Sequence, residues 1–457
     1  MKSVKRYLMV ALLPTLWLNI AAAAPTSEEA AELGKSLTRL GAVKAGNAAG
    51  TIPAFDGGLC KAVPGYKPKN GKDGWPYIDP FADEKPRLTI DSKNMAQYAD
   101  QLTEGTQVLL QRYPETFKVN VYPTHRTACF PEYVYKNTVD RVMNPKLVGS
   151  APGVTGAHAQ VPFPIPKDGY EVMWNALLRF GGPNERGDWN QYVVDNVGNQ
   201  SVSNISISKE DHEYWDNTLE GTDDTTFWRL IATQTEPAAQ VGTAQMRFQY
   251  VRADLKEPPA WSYTPGQRRV RKAPENSYDT VSTTSGVLLF DEINGFDGKM
   301  DKYDFKLLGK KEVLVPYNDY RRFLTPQQQA LGKLHVIPEA ERWELHRAWV
   351  VEATLKNGQR HVEKRKKFYI DEDSWAFLIY VGFDQQDKPY HYMENHVYQE
   401  YNKPMLRSNS VYDLYDLSTA KRSSNGVPGT DGVGYTWVDK YPGNTFSPAG
   451  LTGAGVR

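Results

Sequence analysis

The residue types that could do chemistry are thinly spread. His391, Glu394 and His396 come nearest to a metal-ligand set. In an extended strand, 394 and 396 share one face while 391 points to the other. At most two ligands then converge, where a zinc site needs three or four. The triplet therefore reads as a solvated strand face. Asp297, Gly298, Asp301 and Asp304 miss the D-x-[DN]-x-[DN]-G spacing of a calcium loop and read as a turn with surface acids. Asp371, Glu372 and Asp373 read as a hairpin turn. The basic run 364–367 reads as a solvated edge strand guarded by lysines, in preference to an anion or membrane-surface site. The sequence holds no G-x-S-x-G elbow, no phosphate-cradling glycine loop and no H-E-x-x-H helix. The expectation is a protein that is not an enzyme and takes no metal or cofactor.

Aromatic strand faces carry more information. Met246, Phe248 and Tyr250 share one face of a strand, with Gln245, Arg247 and Gln249 on the other. Trp261, Tyr263, Trp343, Trp349, Trp375 and Phe377 fall on further strands. One reading is an ordinary filled core. The functional reading is that a wide sheet leaves a cavity on its concave side. These aromatic residues and Met246 would then grip a lipid-like ligand there.

The elements that must position these side chains divide near residue 178. Before it, helices are expected at 27–40, 91–113, within 131–143 and at 170–178, joined by extended Pro- and Gly-rich segments. After it, period-2 patterns dominate. Hairpin strands are expected at 188–196 and 201–208, and further strands at 227–233 and 240–252. A meander follows through 343–355, 361–370, 375–383 and 390–401, with Asn357-Gly358 as its strongest turn signal. Residues after about 407 read as a wrapping tail with little regular structure. The fold class is α+β: a large antiparallel sheet covered by N-terminal helices and extended loops. The expected divisions are a leader at 1–23, an N-terminal wrap at 24–166, a sheet domain at 167–406 and a tail at 407–457.

Residues 1–24 follow the order of a secretory signal: Lys2, Lys5 and Arg6, then a mostly apolar run, then four alanines. Cleavage is expected after Ala23, which places the mature protein in the periplasm of a Gram-negative cell. Removing the leader leaves 51 basic against 54 acidic residues. The basic excess of a nucleic-acid binder is missing. Cys60 and Cys129 are the only cysteines. In an oxidising compartment they are expected to form a disulfide.

Several stretches resemble a Gram-negative family of unknown function whose members are labelled outer-membrane lipoprotein-sorting-like. They are LTRLGAVKAGNAAGTIP at 37–53, YIDPFA at 77–82, EKP at 84–86, PFPIP at 162–166, Glu171 with Trp174-Asn175, and WSYTPGQRRVR at 261–271. Arg39 stands where the family usually has proline. The resemblance implies a fold like the lipoprotein carriers LolA and LolB, a bent and incomplete antiparallel barrel with helices over its mouth. It further implies an association with RND-type exporters or outer-membrane proteins, and it carries over no catalytic residue. The leading expectation is a periplasmic carrier or accessory binding protein for a lipid or other hydrophobic ligand. The alternative is a non-catalytic scaffold subunit of an envelope complex with a filled core.

Overall fold

The computed structural model describes residues 24–68, 76–272, 278–282, 284–426 and 434–455. The expected leader and its cleavage point lie outside them. Among the described residues, seven helices carry little of the mass: α1 (Ser27–Ala30), α2 (Glu104–Arg112), α3 (Glu132–Asp140), α4 (Gly169–Leu177), α5 (Tyr320–Leu324), α6 (Gln327–Ala330) and α7 (Pro448–Gly455).

The strands begin with two short pieces, β1 (Leu88–Ile90) and β2 (Val119–Val121), and a separate ribbon, β3 (Lys146–Val148) with β4 (Gly153–Thr155). Long hairpins follow: β5 (Asn184–Val194), β6 (Gln200–Asp211), β7 (Thr226–Glu236), β8 (Ala244–Tyr250), β9 (Ala260–Thr264) and β10 (Arg269–Lys272). The second series is β11 (Tyr303–Pro316), β12 (Trp343–Leu355), β13 (Arg365–Asp371), β14 (Phe377–Phe383), β15 (Pro389–Glu400), β16 (Met405–Asp416) and β17 (Arg422–Gly426). The short β18 (Tyr435–Trp437) pairs with β5.

The two series form one sheet because β17 pairs with β5. Its order is β11-β12-β13-β14-β15-β16-β17-β5-β6-β7-β8-β9-β10, with β2 and β1 attached to β12 through one parallel bridge, Trp343 to Val121. The other strand pairings of this sheet are antiparallel, as hairpin connections require. The sheet curves without closing. Register shifts recur within β11, β13, β14, β15, β5, β6 and β7. Such irregularities raise local twist and bend the strand.

In the β11–β17 half, strands β14 to β17 are buried on both faces. All seven residues of β14 are buried. One face, which carries Phe368, Tyr380 and Met393, is covered by the turn Phe290–Gly295. There Gly295 must lack a side chain, since a Cβ would sit 2.7 Å from the Phe377 ring. The opposite face, with Tyr392, Glu394 and His396, is covered by α2 and α5. Gly105 of α2 lies flat on Tyr392, where a Cβ would approach to 2.0 Å.

Several expectations change. The helix expected at 27–40 stops at Ala30, and Gly34 takes a positive φ of 86°. The helix expected at 91–113 is two pieces. Its second part restarts at Thr103, whose side chain accepts from the Thr106 amide. Residues 405–426 are not a tail but β16 and β17, which join the two halves of the sheet. Their many Ser, Asn and Asp residues hid the strand pattern because the face is buried by polar pairing, not by apolar contact. Nor is the basic run 364–367 on an edge: β13 lies between β12 and β14. Cys60 and Cys129 form the expected disulfide, with their Cα atoms 5.5 Å apart.

Candidate functional site

The chemistry-bearing residues of the meander are buried. On one face Lys366 places its Nζ 2.9 Å from Asp291 and 2.6 Å from Glu363. His361 meets Asp291 at 3.1 Å, and His391 meets Glu292 at 2.7 Å. On the other face His396 lies between Asp319 at 2.8 Å and Asp413 at 3.2 Å, and Arg322 also bonds Asp413. Glu394 and Glu341 stand beside His396. The turn 371–373 is held from two segments: Arg126 donates to Asp373 at 2.6 Å, and Tyr317, which follows β11, donates to Asp371. These groups are buried, which corrects the surface readings of 391–396 and 371–373 and, within 364–367, that of Lys366, while Lys364 is exposed as expected.

Four trios of these acids and histidines are compact enough to hold a metal ion. Protein cations already stand among them: Lys366 on one face, Arg322 and Arg422 on the other, and Arg126 at the turn. Burial would lower the Lys366 ammonium pKa, but Asp291 and Glu363 raise it instead. Burial also opposes His396, yet hydrogen bonds to Asp319 and Asp413 raise it to about 10. Burial pushes Glu394 up to about 7. Lys366, His396, Arg322 and Arg126 pair with the acids around them as structural pins across the sheet, while both carboxylate oxygens of Glu394 and one of Glu341 have no hydrogen-bond partner.

The cavity lies elsewhere, on the β5–β8 half. It has a volume of about 240 Å³, a little below the roughly 300–1,000 Å³ usual for small-molecule sites. The sheet supplies its floor in rows of paired residues. Tyr412, Asn425, Gln191 and Asn204 form one row across β16, β17, β5 and β6. Trp189, Ser206 and Gln234 form another, and Glu185, Glu210, Leu230 and Arg247 a third. Leu288, Phe290, Ile293 and Phe296 roof the cavity, and Leu177, Leu178 and Trp215 close one side. The apolar roof and polar floor make the space amphipathic.

Charges in the lining are largely spoken for. Arg407 donates to both oxygens of Glu185, at 2.8 and 2.7 Å, and to Glu400 at 2.7 Å. Arg247 pairs with Asp297, which also accepts from Gln249. Glu210 accepts from Ser208 and Trp228, and burial beside Glu185 raises its pKa. Burial lowers His212 to about 4, so it is neutral at pH 7. Arg179 donates to Ser408 and to the Ala176 carbonyl, and burial lowers it to about 10. The serines Ser206, Ser408 and Ser410 bond to Asn204, Arg179 and the Ser408 carbonyl, so none of the three faces a base. The arrangement can bind and orient.

None of the hydrophobic residues nominated from sequence lines this cavity. Met246, Tyr263, Phe248 and Trp261 lie on the opposite face, packed with Ile231 and Ala244 beneath Leu451 of α7 and Phe446. Tyr250 borders a small void beside Trp174 and Phe227. Trp343, Trp349, Trp375 and Phe377 belong to the filled half, where Trp349 stacks on Trp375 at 6.1 Å. Strand alternation separated the two faces correctly, but the helix α7, not a ligand, covers the apolar one. The residues that meet the cavity are the polar partners, Gln245, Arg247 and Gln249. The signal that could have found them was the run of amides and serines at alternate positions of β5 and β6.

The family model for proteins of unknown function, DUF1329, matches residues 89–452. An uncharacterised protein of Pseudomonas aeruginosa, PA3922, is 34% identical over 442 residues, 95% of each chain. Two solved structures are similar at lower identity. A DUF1329 family protein from Desulfovibrio piger has 14% identity and a TM-score of 0.43, covering 62% of this chain and 97% of its own. A LolA superfamily protein from Nitrosomonas europaea has 10% identity and a TM-score of 0.36, covering 61% and 97%.

Proposed function

We propose that this chain, which belongs to the DUF1329 family of proteins of unknown function, is a non-catalytic carrier or accessory binding protein for an amphipathic molecule. The observation that carries this reading is the cavity of about 240 Å³ between a polar sheet floor and an apolar roof. Burial of hydrocarbon against Phe290, Ile293 and Phe296 contributes roughly 0.8 kcal/mol per methylene, which holds a ligand without covalent chemistry. Release then calls for a competing partner, and a membrane transporter or outer-membrane protein is the class this reading requires. The Cys60–Cys129 disulfide favours an oxidising compartment such as the periplasm. Among the described residues no helix is long and apolar enough to cross a membrane.

The test is native mass spectrometry of the mature protein purified from a Gram-negative periplasm, followed by solvent extraction. A defined bound mass supports a carrier. A bare protein that takes up no added amphiphile refutes it and leaves a scaffold role, with the filled half of the sheet as its rigid body.

A further inference from the structure

Three carboxamide oxygens in the cavity lining have no hydrogen-bond partner: Gln191 Oε1, Gln234 Oε1 and Asn409 Oδ1. Their residues are only 3%, 6% and 7% exposed. A buried acceptor left unpaired forfeits its hydration with nothing in return, so each calls for a donor from whatever fills the space. The other ends of two of these side chains are fixed. Gln191 donates to Ser423 at 3.3 Å, and Asn409 donates to the Asn294 carbonyl at 2.5 Å. Their free oxygens are therefore held in place. Asn409 itself has a φ of 59°, a left-handed conformation that asparagine tolerates better than most side chains.

The charged groups of the same wall point the other way. Arg407 is saturated by Glu185 and Glu400, and Arg247 is paired with Asp297. An anionic head group would have to break one of these pairs or rely on Arg179 alone, and the one acid of the lining without a cation, Glu210, is biased by burial toward its neutral form. A neutral head that donates hydrogen bonds breaks none.

From these unpaired acceptors we infer that the ligand is a neutral amphiphile whose head group carries hydroxyls, seated against Gln191, Gln234 and Asn409. Its apolar body lies under Phe290 and Ile293. This inference rests on the carrier reading and deepens it.

The experiment compares two probes with matched short chains, octyl β-D-glucopyranoside and octanoate. Each is titrated below micelle formation into the delipidated full-length mature protein and followed by calorimetry. The glucoside is expected to bind at least about tenfold more tightly, because a site built to pair with hydroxyls rejects a head that leaves its acceptors unpaired. The double variant Gln191→Leu, Gln234→Leu is expected to remove that preference while retaining octanoate binding. If the double variant fails to fold, Gln234→Met alone carries the comparison, with a smaller loss of the same sign. Equal binding of the two probes overturns the hydroxyl assignment and leaves the carrier reading standing. Tighter octanoate binding that is lost in Arg179→Gln overturns it in favour of an acidic head. Binding of neither probe overturns the carrier reading and this inference together.

Discussion

The two halves of the sheet treat polar residues in opposite ways. In the β11–β17 half, acids and bases are buried in pairs, each carboxylate near a lysine, arginine or histidine, and apolar residues fill the space between them. In the β5–β8 half, the same face carries amides and serines beneath an apolar roof, and it encloses a cavity. Both halves lie under one turn, Phe290–Gly295, which packs on β14 and β16 and also roofs the cavity. One half is therefore solid and the other hollow, although the hydrogen-bonded sheet runs through both without a break. The solid half fixes the roof, and the hollow half uses it.

The largest expected effect lies in the solid half. Lys366→Met strands Asp291 and Glu363 without their cation, and removing one member of a buried ion pair costs roughly 3–5 kcal/mol. A fall of that size in the urea unfolding free energy is expected. A loss below about 1 kcal/mol, the scale of an exposed pair, would show that water reaches the cluster.

Removing the disulfide with Cys60→Ser, Cys129→Ser opens a crosslink spanning 69 residues. The chain-entropy model gives roughly 4 kcal/mol. Unfolding with and without reductant measures it. Insensitivity to reductant would mean that the wrap is held by its other contacts, chiefly Arg126 to Asp373.

A smaller effect is pH-dependent. Folding raises His396 to about 10 from its ordinary value of 6.5. A raised cation binds its proton more tightly in the native state, so its contribution is fully present below pH 6.5. It is lost as the pH rises through 10. Unfolding midpoints should fall over that window in the parent, and His396→Gln should flatten the fall. An unchanged slope in the variant would assign the window to another group.

The smallest stability effect belongs to the hollow half. Gln191→Leu removes an unpaired buried oxygen together with one long hydrogen bond to Ser423, effects of opposite sign, and is expected to change stability by less than about 1 kcal/mol, while altering ligand retention. A large destabilisation would place Gln191 among the structural pins.

How much was legible in the sequence follows the same division. The apolar alternation of 343–355 located β12 to the residue. Asn357-Gly358 marked its turn, with Gly358 at φ 82°. The turn at Gly198 separated β5 from β6. These are local signals, set by backbone sterics and one-sided burial. Burial of His391, His396 and Lys366 was not legible, because each is paired with a residue from another element. Glu292, Asp319, Asp413 and Asp291 come from other elements. The cavity face was missed for a related reason. Met246 and Phe248 showed which face avoids water, but only the docking of Leu451 shows that a helix already covers it.

The most direct measurement is bound mass in two single-site variants on opposite faces of the same sheet. Ala232 points into the cavity from β7, and Phe248 lies beneath α7 on β8. Native mass spectrometry of Ala232→Trp, which fills the cavity without altering a charge, should show bare protein. Phe248→Ala should keep the ligand mass of the parent. If Ala232→Trp retains the ligand and Phe248→Ala loses it, the ligand sits on the apolar face under α7, and a binding site between the polar floor and the Phe290–Gly295 roof is contradicted.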